Sequence, residues 1–225
     1  MKKSQATVAF RKRVPCIYVL AGTNGTGKSS IAGAMFRESG AEYFNPDEAA
    51  ARFQAANPGL THEEANSAAW RQGKRLLERA ISGRLDFALE TTLGGRTMAA
   101  LLDHALDEKI EVRIWYVGLA TPELHIARVR SRVAAGGHSI PEAAIRERYE
   151  NSRLNLVDLM PKLTELRVYD NSREADPRKG VAPQPRLLLH MEGGKIVELC
   201  DLRTAPDWAK PILATAMKIS KWRRL

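Results

Sequence analysis

The stretch Val14-Pro15-Cys16-Ile17-Tyr18-Val19-Leu20-Ala21-Gly22-Thr23-Asn24-Gly25-Thr26-Gly27-Lys28-Ser29 decides the fold. Its first half is a continuous apolar run of strand length, the pattern of a parallel strand buried on both faces. Its second half matches G-x-x-x-x-G-K-[ST] at every fixed position, with a helical pattern following from Lys28 to Gly40. Glycines at these places permit the torsions that turn successive N–H groups inward around a phosphate. A helix opening at Lys28 lays its positive end on the same anion. In such a loop Lys28 reaches the β- and γ-phosphates and the Ser29 hydroxyl coordinates Mg²⁺. Gly22, Thr23, Asn24, Gly25, Thr26, Gly27, Lys28, Ser29 and Ser30 are therefore expected to cradle a nucleoside triphosphate with its Mg²⁺.

Working outward, apolar strand patterns alternate with helical ones. Ala41 to Asn45 is a short strand candidate, and Pro46-Asp47-Glu48 opens a helix. Thr61 with Glu64 makes a capping box for a long helix reaching Gly83. Phe87-Ala88-Leu89 forms a third strand ending at Glu90, followed by a helix from about Thr97 to Lys109. Ile110 to Ala120 is the strongest strand pattern, and Thr121 caps the next helix. A Gly136-Gly137 break and Pro141 begin a further helix through Leu159, whose Leu154, Leu156, Val157, Leu159 and Met160 read as core, as do Trp115 and Tyr116. Leu166 to Tyr169 is the fifth strand. This alternation predicts an α/β fold of the P-loop NTPase type, a doubly wound, mostly parallel five-stranded sheet with a helical lid.

After the polar stretch Asp176 to Pro185, Arg186 to Met191 and Lys195 to Leu199 flank Gly193-Gly194, a hairpin signal. A helix from Pro206 to Ser220 closes the pattern. The expected organisation is one domain over residues 1–225, with a core of about 14–172 and a hairpin-and-helix extension of about 173–225.

Composition narrows the function classes. The chain has 225 residues, 44% hydrophobic and 27% charged, which excludes low-complexity disorder for the whole. No window of about 18 apolar residues reads as a membrane span, and the start lacks the apolar run of a secretory signal. Cys16 and Cys200 are the only cysteines and have no metal-ligand spacing, so a reducing cytoplasm is the expected setting. Lys plus Arg exceed Asp plus Glu by 35 to 26, giving +9 and a pI near 9.8. A basic surface suits nucleic acid or any phosphate-bearing small molecule, and charge alone does not choose.

Beyond the phosphate loop, two carboxylates stand at carboxyl ends of strands, where ligands bind in such sheets. Glu90 ends the third strand. Asp47 follows the second, placed to accept a proton from a substrate hydroxyl, although Asp at a helix start equally suits an N-cap. His62, His104, His125 and His190 are scattered, without metal spacing.

Together, AGTNGTGKSS (21–30), FNPDE (44–48), FALETTLGGR (87–96) and RVRSRVAAGGHSIPEAAIRERYENSRLNL (128–156) resemble the zeta-toxin family of P-loop kinases. The resemblance covers about Cys16 to Ser172, with motifs in the family's order. Members studied as toxins phosphorylate UDP-N-acetylglucosamine on the sugar 3′-hydroxyl, and some are held inactive by a separate antitoxin protein. The resemblance implies that Lys28 and Ser29 hold phosphate and Mg²⁺, and that Asp47 deprotonates the acceptor hydroxyl. It implies that Glu90 and Thr92 line the sugar-nucleotide pocket, with Arg96 in the same loop, and that Arg132 binds the transferring phosphoryl group. Guanidinium suits that task, being planar, permanently charged and bidentate. Where the toxins place a second lid arginine this chain has His138, so Arg146 or, preferably, Arg148 is expected to supply the second charge.

The expected function is thus an ATP-dependent small-molecule kinase acting on a sugar nucleotide. The alternatives are a polynucleotide or tRNA kinase, for which no RNA-binding signature is present, and an ATP-binding regulator without transfer activity.

Overall fold

The computed structural model describes residues 14–28, 43–173 and 185–222. Seven strands form one sheet in the order β2-β3-β1-β4-β5-β6-β7: β1 Cys16–Ala21, β2 Tyr43–Phe44, β3 Phe87–Thr91, β4 Glu111–Gly118, β5 Glu165–Asp170, β6 Arg186–Glu192 and β7 Lys195–Leu199. The first five are parallel and the last two antiparallel. The helices are α1 Pro46–Ala56, α2 His62–Gly83, α3 Arg96–Asp107, α4 Pro122–Ala134, α5 Glu142–Leu159 and α6 Lys210–Trp222. The helix expected after the phosphate loop lies, beyond Lys28, outside the described residues.

The apolar run that opens the fold becomes the central strand. Ile17 and Val19 are fully buried and register against Phe87 and Leu89 of β3 on one side, and Val112 and Ile114 of β4 on the other. The carboxyl ends of β1, β3 and β4 therefore sit side by side, where the chain changes its direction of winding and ligands bind.

The hairpin continues the sheet, raising the five expected strands to seven. β6 pairs with β5, and Gly193 and Gly194 turn the hairpin at φ of 52° and 77°, the left-handed torsions a tight two-residue turn demands. Trp208, buried in a short turn before α6, lies against the end of β4: a side chain at Gly118 would come within 2.4 Å of its ring. Ile212, Leu213 and Ala216 of α6 belong to the same buried cluster as β1 and β4.

Two expectations of the core change. On α5 the buried face runs through Ile145, Tyr149, Ser152, Leu156 and Leu159, at the i, i+3, i+4 spacing of one helix side. Leu154 falls opposite it and is 60% exposed. In β4 the alternation of a strand buries Tyr116 and leaves Trp115 half-buried on the other face, beneath the Arg167 guanidinium. Within the described residues no helix is long and apolar enough to cross a membrane.

Candidate active site

The phosphate loop is fixed by its backbone and by three elements around it. Gly22 adopts φ +139°, and a β-carbon there would lie 2.1 Å from the Val117 carbonyl oxygen, so only glycine fits. Gly25 adopts φ +84°, and a β-carbon there would lie 2.9 Å from the His125 carbonyl oxygen. His125 of α4, buried, donates from Nδ1 to the Asn24 carbonyl at 2.7 Å. Since a carbonyl only accepts, the proton sits on Nδ1. Burial pushes the imidazole down to about 4; the hydrogen bond to Asn24 opposes this shift, and the charges of Lys28, Arg128 and Arg153 add to it. Asn171, following β5, donates to the Thr26 carbonyl at 2.8 Å. Arg148 of α5 donates to Asn24 Oδ1 at 2.9 Å.

Lys28 is buried, its Nζ 3.4 Å from the Thr23 carbonyl and 3.6 Å from Glu90 Oε1. Glu90 is held from its other oxygen by the Tyr43 hydroxyl at 3.0 Å and Asn45 Nδ2 at 3.4 Å. The end of β3 is thus tied to both the phosphate loop and β2.

Asn45, not Asp47, caps α1. Its Oδ1 accepts from the backbone N–H groups of Asp47 and Glu48 at 2.9 and 3.3 Å. That leaves the Asp47 carboxylate out of the cap and half exposed. Its Oδ2 lies 3.5 Å from Arg132 Nη1 and its Oδ1 3.9 Å from His138 Nε2. Arg132 Nη2 also approaches His138 Nε2, at 3.4 Å, and the His62 and His138 rings lie 4.7 Å apart. Burial holds His138 below the usual imidazole range; Asp47 opposes this shift, and Arg132 and His62 add to it. The neutral ring therefore prevails at neutral pH and can accept from the arginine.

These groups face one cavity of about 1080 Å³. Asn24, Gly25, Gly27, Lys28, Asp47, Glu90, Thr92, Arg132, His138 and Arg148 all line it. The structure separates the two lid arginines: Arg148 reaches the phosphate loop, whereas Arg146 turns away to Glu123 at 2.6 Å, both side chains at least half exposed. Arg96 opens α3, exposed and outside the cavity lining. Ser29 and Ser30 lie outside the described residues. The remaining arginines divide. Arg128 lines the cavity and donates to the Asn171 and Arg173 carbonyls, while Arg130 pairs with Glu142 at the surface.

The loop fits a nucleoside triphosphate: its backbone cradle admits no β-carbon at Gly22, and a buried ammonium stands at its end. Glu90 and Asp47, together with Glu63, are the acidic groups that line this cavity among the described residues. Sheet order, phosphate loop and lid helices together define the ATP-dependent P-loop kinases. The family model for the zeta toxins matches residues 2–176, and the chain belongs to the zeta-toxin family.

A Haemophilus influenzae protein of uncharacterized role is 31% identical over 129 residues, 57% of this chain and 88% of that one. Among solved structures, the native AvrRxo1-ORF1:-ORF2 complex superposes with a TM-score of 0.64 at 14% identity, covering 92% of this chain and 71% of that one. The same complex with ATP gives 0.62 at 15% identity, and there the chain spans 64% of its relative's length. The PezAT toxin–antitoxin system of Streptococcus pneumoniae gives 0.54 at 15% identity, with 92% and 86% covered. At these identities the structures show a shared fold.

Four groups that build the site were not among the residues expected from the sequence: Asn45, His125, Asn171 and Tyr43. The cap at Asn45 was recoverable, since Asn directly before Pro-Asp-Glu suits an N-cap with proline at the first helical position. His125 and Asn171 reach the phosphate loop across 101 and 145 residues, and no local pattern marks such contacts.

Proposed function

We propose that this chain transfers the γ-phosphoryl group of ATP to a hydroxyl of a sugar nucleotide, with UDP-N-acetylglucosamine as the acceptor the family resemblance points to. The observation that carries the reading is the placement of the Asp47 carboxylate. Freed from capping by Asn45, it stands in the same cavity as Lys28 and within 3.5 Å of Arg132. A base beside a phosphate cradle and a guanidinium is the arrangement phosphoryl transfer needs, because that reaction is mainly positioning and charge stabilisation.

In this reading, Lys28 and the loop Gly22–Ser30 hold the triphosphate, and Ser29 holds Mg²⁺, which neutralises charge on the phosphate chain. Arg148, at Asn24, and Arg132, whose Nε is buried without a protein partner among the described residues, bear on the phosphoryl group. Glu90 and Thr92 orient the acceptor, His138 completes the wall beside Asp47, and Asp47 takes the acceptor's proton. Arg96 would reach the acceptor only if the start of α3 moved. The lid of α4 and α5 closes over the nucleotide and excludes water. A separate antitoxin protein is the partner this reading calls for where the activity is toxic to its own cell.

The test is ³²P transfer from γ-labelled ATP to UDP-sugars, free amino sugars and 5′-hydroxyl oligonucleotides, with Lys28→Ala as control. Labelling of UDP-N-acetylglucosamine that Lys28→Ala abolishes supports the reading. Labelling of oligonucleotides alone replaces it with a nucleic-acid kinase, and ATP binding without transfer to any acceptor replaces it with a nucleotide-dependent regulator.

A further inference from the structure

The loop between β3 and α3 has an unusual conformation that the roles above do not explain. Leu93, fully buried, adopts φ +54°, a region that a γ-branched residue seldom enters. Such torsions persist only where the surroundings impose them. Here one face of α5 imposes them. Ser152 Oγ donates to the Thr92 carbonyl at 2.7 Å and Asn155 Nδ2 donates to the Leu93 carbonyl at 2.8 Å. The Tyr116 hydroxyl, 3.1 Å from Ser152 Oγ, fixes that serine from the core. Locally, Thr91 and Thr92 turn their own hydroxyls onto the N–H groups of Leu93 and Gly94, at 3.1 and 3.3 Å.

Gly94 then packs directly against α5. A β-carbon there would lie 2.8 Å from Arg148 Cγ, 3.0 Å from its Cβ and 3.1 Å from its Cα. The last two contacts are to atoms that a side-chain rotation does not move. Arg148 is one turn before Ser152 and two before Asn155, on the same helix face. Its guanidinium donates to Asn24 Oδ1 at 2.9 Å, and its carbonyl accepts from Thr23 Oγ1 at 3.4 Å. One helix face therefore grips the loop carrying Thr92 and, one turn earlier, the phosphate loop.

We propose that Gly94, Ser152 and Asn155 are positioning residues which fix the spacing between the acceptor loop and the phosphate loop through Arg148. The proposal rests on the reading of the cavity as a donor site at residues 22–28 joined to an acceptor site at Glu90 and Thr92. Its physical content is that the absent side chain at Gly94 lets α5 approach closely enough for Arg148 to span to Asn24. Displacing either loop displaces the other, and effective phosphoryl transfer tolerates little misplacement.

Gly94→Ala tests this, combined with Asn24→Ala, which cuts the Arg148 link but leaves the Gly94–Arg148 packing intact, in a double-mutant cycle read by Mg·ATP affinity and by amide hydrogen exchange. The single variant is expected to unfold cooperatively and to bind Mg·ATP about tenfold more weakly. Exchange at residues 22–28 should rise together with that at 92–95, while β4 stays protected. In the Asn24→Ala background the added effect of Gly94→Ala on affinity should shrink to about twofold or less, since the side-chain route to the phosphate loop is already cut. Equal losses in both backgrounds would mean a general packing defect and overturn the proposal, as would unchanged exchange at 22–28 in a folded variant. Should Gly94→Ala not fold, Asn155→Ala removes a donor without adding bulk and must raise exchange at both loops or the coupling is absent. If the unmodified protein binds no Mg·ATP, the kinase reading fails by itself, and the exchange data still decide whether the two loops move together.

Discussion

The carboxylate of Asp47 and the guanidinium of Arg132 approach to 3.5 Å across the mouth of the cavity, one from the start of α1 and the other from the last turn of α4. The pair is half exposed, so its contribution to stability is small, within the range of surface ion pairs. Its importance, in the proposed reaction, lies in where it places a base. Asp47→Asn keeps the shape and removes the proton acceptor. Phosphoryl transfer is expected to fall about 10²-fold or more while Mg·ATP affinity stays within about twofold. Parallel titration calorimetry and transfer assays read the two quantities, and full activity in the variant would remove Asp47 from the mechanism.

The lid arginines offer a paired comparison. Arg148 contacts the phosphate loop, and Arg146 pairs with Glu123 at the surface. Arg148→Ala should lower kcat/KM for ATP by about 10-fold to 10²-fold, the cost of removing the charge-assisted contact to a phosphoryl group proposed above. Arg146→Ala should change it by less than about twofold. The reverse ranking in steady-state kinetics would return the second lid charge to Arg146.

Much of this architecture is legible in the sequence, and the reason is local. The run before Gly22, the phosphate loop, the Thr61–Glu64 capping box and the Gly193-Gly194 turn are each written in a few adjacent residues and appear where expected. The distinction between Arg146 and Arg148 was legible only as a preference, because two residues apart on a helix face roughly opposite ways and the facing element decides. Leu154 misled because a leucine in a leucine-rich helix looks like core until the helix phase is known, and it lies opposite Leu156 and Leu159. The union of hairpin and sheet was invisible, since strand pairing depends on partners distant in the chain. The same holds for the supports of the phosphate loop at His125 and Asn171.

His125 makes stability depend on pH in a definite direction. The native imidazole titrates near 4, whereas the unfolded chain takes up its proton near 6.5. Between those values the unfolded state binds more protons, so native stability falls as pH is lowered through that window and is unaffected by this group above it. The full loss from His125 amounts to about 3 kcal/mol once pH is below 4. His138, also depressed, acts with the same sign, its effect beginning below 6.5. In His125→Asn, whose amide can still donate to the Asn24 carbonyl, the decline between pH 6.5 and 4 should be markedly shallower in denaturant titrations. An unchanged slope would mean that His125 is protonated in the native state.

Trp208 bears on whether the C-terminal extension is part of the folding unit. Its indole fills the space that Gly118 leaves at the end of β4, lies 6.1 Å from the Tyr116 ring, and donates from Nε1 to Asp170 Oδ1 at 3.2 Å. Asp170 also accepts from Ser172, whose hydroxyl in turn accepts from the Ala120 amide at 2.8 Å, next to the helix that carries His125 and Arg132. A single folding unit over the core and extension requires that this contact stabilise both. Trp208→Ala should therefore cost about 3–5 kcal/mol, through the cavity left behind and the unpaired Asp170. It should lower the midpoint of one cooperative transition seen alike by circular dichroism and by ATP protection, since ligand binding to the native state reports the core alone. An extension that melted separately, leaving ATP binding intact, would instead divide the chain near residue 173 and make the sheet's last two strands an independent addition.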